Sequence, residues 1–217
     1  MFVDLRVMQL MCSRLCHDLI GAVSAAGTGL ELLDETPPQT EEANQALKLV
    51  ANSTRQSAMR LAFFRMAFGL GGGDRVDVGE IRKLAEGLLG GGRVALDWPL
   101  KEDSPAVLSA PSAKLILNMV LLGSGALPRG GTLEVRLADL GGELGVAMTA
   151  SGEGARIKEE LLAAMSPQAP VGELTAHNVH GHFAARLAAS LGADIEMAEG
   201  PGGEVRLAAL VPAVGDA

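Results

Sequence analysis

The chain has 217 residues, 48% of them hydrophobic but only 3% aromatic and none of them tyrosine, so its core must be aliphatic. A formal net charge of −8 leaves no basic footprint, which argues against nucleic acid as a direct partner. No apolar run is long enough to span a bilayer, and charges interrupt the start of the chain where a signal peptide would be apolar; no membrane partner and a cytoplasmic location are expected.

Residues 4–34 read as one helix. Apolar or small residues recur at Met8, Cys12, Leu15, Leu19, Ala22, Ala26, Leu30 and Leu33, with the spacings of three and four that an amphipathic helix requires. The stretch "DETPPQT" breaks it, because proline cannot continue a helix interior. Thr40-Glu41-Glu42 opens a second helix, with two acids at the positive end of its dipole. Its stripe is Ala43, Leu47, Val50, Thr54, Ser57, Leu61, Phe64 and Phe68, and "GLGGGD" ends it near residue 69. That glycine run lacks the Lys-Ser/Thr of a phosphate loop and reads as a hinge between residues 1–70 and residues 74–217. Two helices alone bury little. Both stripes have heptad-like spacing with small residues among them, so pairing with a second hairpin into a four-helix bundle, and hence a homodimer, is expected. The competing arrangement has the second part of the chain cover the stripe. Cys12 and Cys16 match no zinc or redox spacing and are expected to stay reduced.

The second part alternates differently. "VDVGEIRKLAEGLLGG" is a helix ending in glycines, and "RVALDW" is a strand with Val94, Leu96 and Trp98 on one face. "SAKLILNMVLLGSGAL" is a helix with a broad apolar face. "TLEVRLADL" and "LGVAMTA" form a hairpin about "GGE". A further helix lies within "ELTAHNVHGHFAARLAASLG", and a last hairpin turns at "GPGG". Helices mixed with antiparallel hairpins predict an α+β fold, one sheet carrying helices on a single face. Phe63, Phe64 and Phe68 read as core or interdomain packing, and Asp97, Glu102 and Asp103 as loop charges. His177, His180 and His182 have spacings a metal would accept, but no paired cysteines accompany them; they read as a solvated loop or helix start, and no metal is expected.

A hairpin carrying an exposed His-Asp, a glycine break and then an α+β sandwich resembles a sensor histidine kinase. More closely, "LCHDLIGAVSAAGTGLELL", "LAFFRMAFG" and "VDVGEIRKLAEGLL" resemble the alphaproteobacterial histidine phosphotransferase family, the ChpT family, over nearly the whole chain. The resemblance implies a dimerisation and phosphotransfer hairpin at 1–70, and at 74–217 an α/β sandwich similar to the Bergerat (GHKL) ATP-binding fold. Three departures from a kinase stand out. Asn118 falls where a kinase has its first magnesium-liganding asparagine, but four residues on, where a second is usual, stands Leu122. The kinase acid that binds the adenine amino group is Ala150 in "ASGEG", although Gly152 and Gly154 persist; a methyl group cannot accept that hydrogen bond. The glycine-rich phosphate loop is replaced by "AHNVHGHFAARLA", with the single glycine Gly181. No ATP and no tightly bound cofactor are therefore expected.

What remains is the chemistry of His17. A neutral imidazole is a good nucleophile near pH 7. It can attack the phosphorus of an aspartyl phosphate and later return the phosphoryl group to another aspartate, a reaction that mainly needs positioning, with magnesium on the partner receiver domain neutralising charge. Asp18 is suited to hold one ring nitrogen's proton and leave the other free. Ser13, Arg14, Ile20, Gly21, Ser24 and Thr28 share the face of His17 and are mostly small, so a partner can approach the helix closely. Counting outward from the 35–39 turn, Ser53, Gln56, Ser57 and Arg60 of the second helix lie at the level of His17, and Arg14 is a candidate for a phosphoryl oxygen or the partner's acidic pocket. The partners the resemblance implies are receiver domains of a hybrid histidine kinase and of response regulators in a cell-cycle phosphorelay. The alternatives are a diverged ATP-dependent histidine kinase and a pseudokinase that only sequesters a regulator.

Overall fold

The computed structural model describes residues 4–69, 73–100 and 105–212. Helix α1 (Leu5–Glu35) starts at Asp4, whose carboxylate accepts the Arg6 N–H at 2.8 Å. Helix α2 (Glu41–Phe68) starts at Thr40, whose hydroxyl accepts the Ala43 N–H at 3.2 Å, with Glu41 and Glu42 in its first turn. The two form the expected hairpin. Its seam is made of small residues: Ala22 and Gly29 of α1 and Ala43, Ala46 and Ser53 of α2 are buried. A Cβ on Gly29 would lie 2.7 Å from Val50 Cγ2 and 3.2 Å from the Ala46 carbonyl oxygen, so the close approach of the helices there requires glycine.

Strand β1 (Arg75–Asp77) leads into α3 (Val78–Leu89), and the Asp77 carboxylate caps the helix at the Glu80 N–H. The segment expected to be all helix thus spends its first residues pairing: β1 runs antiparallel to β3 (Val107–Ser109) as a separate ribbon. The main sheet contains β2 (Val94–Asp97), β4 (Gly131–Asp139), β5 (Glu143–Ser151), β6 (Glu196–Gly200) and β7 (Glu204–Pro212), in the order β2-β4-β5-β7-β6. Only β2 and β4 are parallel; the hairpins β4–β5 and β6–β7 fall where alternation placed them. In β7 the residues Val205, Leu207, Ala209 and Val211 are buried and their neighbours largely exposed, the signature of a sheet covered on one face. The cover is α4 (Ala110–Gly125), whose Leu115, Ile116, Leu117, Met119, Val120 and Leu122 are all fully buried. Two further helices, the short α5 (Glu159–Met165) and α6 (Val179–Ser190), pack against each other; α5 has no counterpart in the sequence reading.

The hydrophobic stripe of the hairpin divides in two. Phe63, Phe64 and Ala67 belong to the same core as Leu133, Val135, Met148 and Val205 of the sheet, and Leu15, Leu19 and Phe68 pack against it. At this end the second part of the chain does cover the stripe. The rings form a chain: edge to face from Phe63 to Phe64 (centroids 6.0 Å), tilted from Phe64 to Phe68 (5.9 Å), and edge to face across to Phe183 of α6 (5.3 Å). Other residues of the stripe, Met8 (51% exposed), Leu30 (54%), Leu47 (54%) and Leu61 (55%), are left uncovered. Asp97 is not a free loop charge: it ends β2 and accepts from Arg136 Nη2 at 2.8 Å. Glu102 and Asp103, and residues 70–72 of the expected hinge, lie outside the described residues.

Candidate functional site

His17 projects from the middle of α1 with its side chain 81% exposed. Its Nδ1 lies 3.3 Å from Asp18 Oδ1, which leaves Nε2 as the nitrogen free of that contact. The other carboxylate oxygen of Asp18 lies 3.5 Å from Nε of Arg14, one turn earlier. From α2, Arg60 Nη1 donates to the main-chain carbonyl of Asp18 at 2.7 Å and so ties the two helices at this level. An exposed imidazole, held on one side by a carboxylate and rising from a rigid helix, is geometrically available to a phosphorus atom brought in from solvent.

Of the residues expected around it, Ile20 (63% exposed), Gly21, Ser24 and Thr28 all lie on open surface, and no atom comes within 4 Å of where a Gly21 Cβ would be. Gln56 and Ser57 are half-buried. Three residues depart from expectation. Ser53 is 7% exposed and faces α1 inside the seam, because one position along a helix turns a side chain by about 100°, from surface to interior. Arg60 points inward to the Asp18 carbonyl, and its Nε is buried without a partner. Arg14 is engaged within the chain: its Nη1 donates to the carbonyls of His177 (3.1 Å) and Ala176 (3.4 Å).

Those carbonyls belong to a segment that sequence reasoning missed as part of the site. Arg6 donates to the carbonyls of Val171 (3.1 Å), Gly172 (3.1 Å) and Leu174 (3.2 Å), so two arginines of α1 strap residues 171–177 of the second part against the hairpin. The contacts are made to main chain, which leaves no trace in residue identity. The nearby histidines differ in kind. His177 is exposed, and His182 Nδ1 lies 3.2 Å from the Ala164 carbonyl. His180 is buried rather than solvated; burial, with the Arg14 guanidinium and Lys158 adding to it, pushes its pKa from 6.5 down to about 3, against a hydrogen bond to the His177 main chain that raises it. The imidazole is therefore neutral near pH 7.

The positions compared with nucleotide-binding residues are all occupied by packing. Asn118 is 1% exposed, and its amide donates to the Ala67 carbonyl at the end of α2 (3.0 Å) and to Lys114 (2.8 Å). Leu122 and Ala150 are fully buried. A Cβ on Gly152 would meet the Gly130 carbonyl oxygen at 2.3 Å, and Gly154 has φ +71°, so backbone geometry alone accounts for the persistence of both. Gly181 sits against Leu161 Cδ1, 2.6 Å from its missing Cβ, which makes it a helix-packing glycine of α5 and α6.

Comparison with known proteins agrees with this architecture. Residues 78–202 match the family model of the histidine phosphotransferase C-terminal domain. The chain is 35% identical over 190 residues to protein phosphotransferase ChpT of Brucella abortus (strain 2308), covering 87% of this chain and 88% of that protein. The 1.7 Å structure of a bacterial phosphotransferase superposes with a TM-score of 0.80 at 30% identity, over 96% of this chain and 98% of that one. The chain belongs to the ChpT family of histidine phosphotransferases. Among the described residues, no helix is long and apolar enough to cross a membrane.

Proposed function

We propose that the protein relays a phosphoryl group between aspartates of receiver domains through a phosphohistidine at His17. The observation that carries the reading is the exposed His17 ring paired through Nδ1 with Asp18. In the forward step the Nε2 lone pair attacks phosphorus. A P–N bond forms as the P–O bond to the receiver aspartate breaks, and the electron pair leaves with that carboxylate. The Nδ1 proton stays on the ring, where Asp18 offsets the positive charge that develops. Transfer to a second receiver is the reverse reaction. Magnesium bound by the receiver supplies charge neutralisation. Ile20, Gly21, Ser24 and Thr28, with Gln56 and Ser57 across the seam, form the landing surface, and its small side chains let the receiver's aspartate come close to the helix.

The donor is another protein, not ATP. Asn118 is 1% exposed, shut away from solvent with its amide on the Ala67 carbonyl, and the methyl-bearing side chains of Leu122 and Ala150 offer nothing to magnesium or adenine. Titration with magnesium-ATP in the micromolar range is expected to give no binding signal by calorimetry; saturable, magnesium-dependent binding would return the chain to the kinases. The relay itself is tested by mixing the protein with a receiver domain carrying labelled aspartyl phosphate. Acid-labile, base-stable label on this chain is expected, and its absence would defeat the reading.

The working unit is a homodimer. Leu47, Thr54 and Leu61, seven residues apart, remain exposed on α2, as do Met8, Cys12 and Leu30 on α1, and a second hairpin placed against them completes a four-helix bundle. Light scattering is expected to give twice the chain mass, and Leu47→Glu with Leu61→Glu to give the single chain mass with helicity retained. A wild-type monomer at tens of micromolar would contradict this.

A further inference from the structure

Adjacent residues on a helix point about 100° apart, so a carboxylate at position 18 does not by default face an imidazole at position 17. Yet the Asp18 carboxylate spans two partners: Oδ1 lies 3.3 Å from His17 Nδ1 and Oδ2 lies 3.5 Å from Arg14 Nε. Arg14 is four residues before Asp18 and on its face. A lone arginine on a helix surface samples many rotamers, and its hold on a carboxylate is weak. This one is anchored. Its Nη1 donates to the carbonyls of His177 and Ala176, and its side chain is 27% exposed. The anchoring segment is itself strapped at its other end by Arg6 through the carbonyls of Val171, Gly172 and Leu174. The neighbouring His180 ring is buried and uncharged near neutrality, so it does not compete for the Asp18 carboxylate.

We propose that Arg14 is a positioning residue, fixed by the second domain's main chain and holding the Asp18 carboxylate in the orientation that grips the His17 ring. On this account the second domain serves phosphotransfer directly: its segment before α6 is the anchor that sets which ring nitrogen is presented. Arg14 acts through Asp18 and not on the incoming receiver. The proposal rests on phosphotransfer through His17.

The test measures the rate of labelled phosphate uptake from a phosphorylated receiver domain over a range of receiver concentrations, using the full chain. Arg14→Ala is expected to lower the limiting rate by roughly fivefold, the loss of one partly exposed ion pair, while the half-saturating receiver concentration stays within about twofold. In an Asp18→Asn background, Arg14→Ala should change the limiting rate by less than about twofold, because the carboxylate it holds is gone. Arg6→Ala loosens the strap without touching Asp18 and should lower the limiting rate by less than Arg14→Ala does, at an unchanged half-saturating concentration. Where Arg14→Ala fails to fold by circular dichroism, Arg14→Lys replaces it, since an ammonium cannot span both carbonyls and the carboxylate, and the same rate loss is expected. A raised half-saturating concentration at unchanged limiting rate would make Arg14 a docking residue and overturn the proposal. So would multiplicative effects of the Arg14 and Asp18 substitutions, or no effect of Arg14. If the wild type takes up no phosphate at all, it is the phosphohistidine reading that fails.

Discussion

Replacing His17 with alanine is expected to abolish phosphoryl uptake while leaving the fold intact. The ring is 81% exposed, so little packing is lost, and alanine is the better helix former. The stability change should fall within about 0.5 kcal/mol, as for other surface substitutions away from special features. The rate should fall on the order of 10³-fold or more, because no other described group replaces the nucleophile. Cys16 and Ser13 are exposed on the same helix, but label on either would differ in acid and base stability from a phosphoramidate, so stability of the label separates them. Retained acid-labile label on the alanine variant would move the phosphoryl acceptor elsewhere. Retained receiver binding with no label would show that docking and chemistry are separable, as expected if the landing surface is Ile20, Gly21, Ser24 and Thr28 and not the imidazole.

Phe63→Ala is expected to give the largest loss of stability. Phe63 has no exposed surface, meets Phe64 edge to face, and lies in the one core that hairpin and sheet share. Truncating a buried phenylalanine costs about 3–5 kcal/mol, a large part of the 5–15 kcal/mol that a typical domain has in total. In urea, the midpoint should fall accordingly. Phe63→Leu, which leaves a smaller void, should cost well under half as much. A Phe63→Ala variant within about 1 kcal/mol of wild type would mean that the hairpin does not depend on the second domain for its base.

Much of this was readable beforehand because long periodic segments carry strong signals. The two helices of the hairpin, the helix of Ala110–Gly125 and both sheet hairpins followed from spacing and turn residues. The strands β1 and β3 have three residues each and α5 has seven, too few for a period to establish itself. The exposure of His17, Ile20, Gly21, Ser24 and Thr28 followed from sequence. Ser53 did not, since counting levels along α2 fixes height but not azimuth. Arg14 did not, because its partners are main-chain carbonyls 162 and 163 positions away. His180 did not, because burial is set by how α6 meets α5 and α1, and a histidine at a helix start is equally at home in water.

The seam of the hairpin bears on control as well as on packing. Gly29, Ala22, Ala43 and Ala46 have no side-chain torsions to redistribute, and the clearance at Gly29 leaves α1 little freedom to turn against α2. A hairpin that transmits signals needs two arrangements of its helices close in energy; this seam favours one. Such a protein would work as an ungated connector, and the direction of traffic through it would follow from mass action among charged and uncharged receivers.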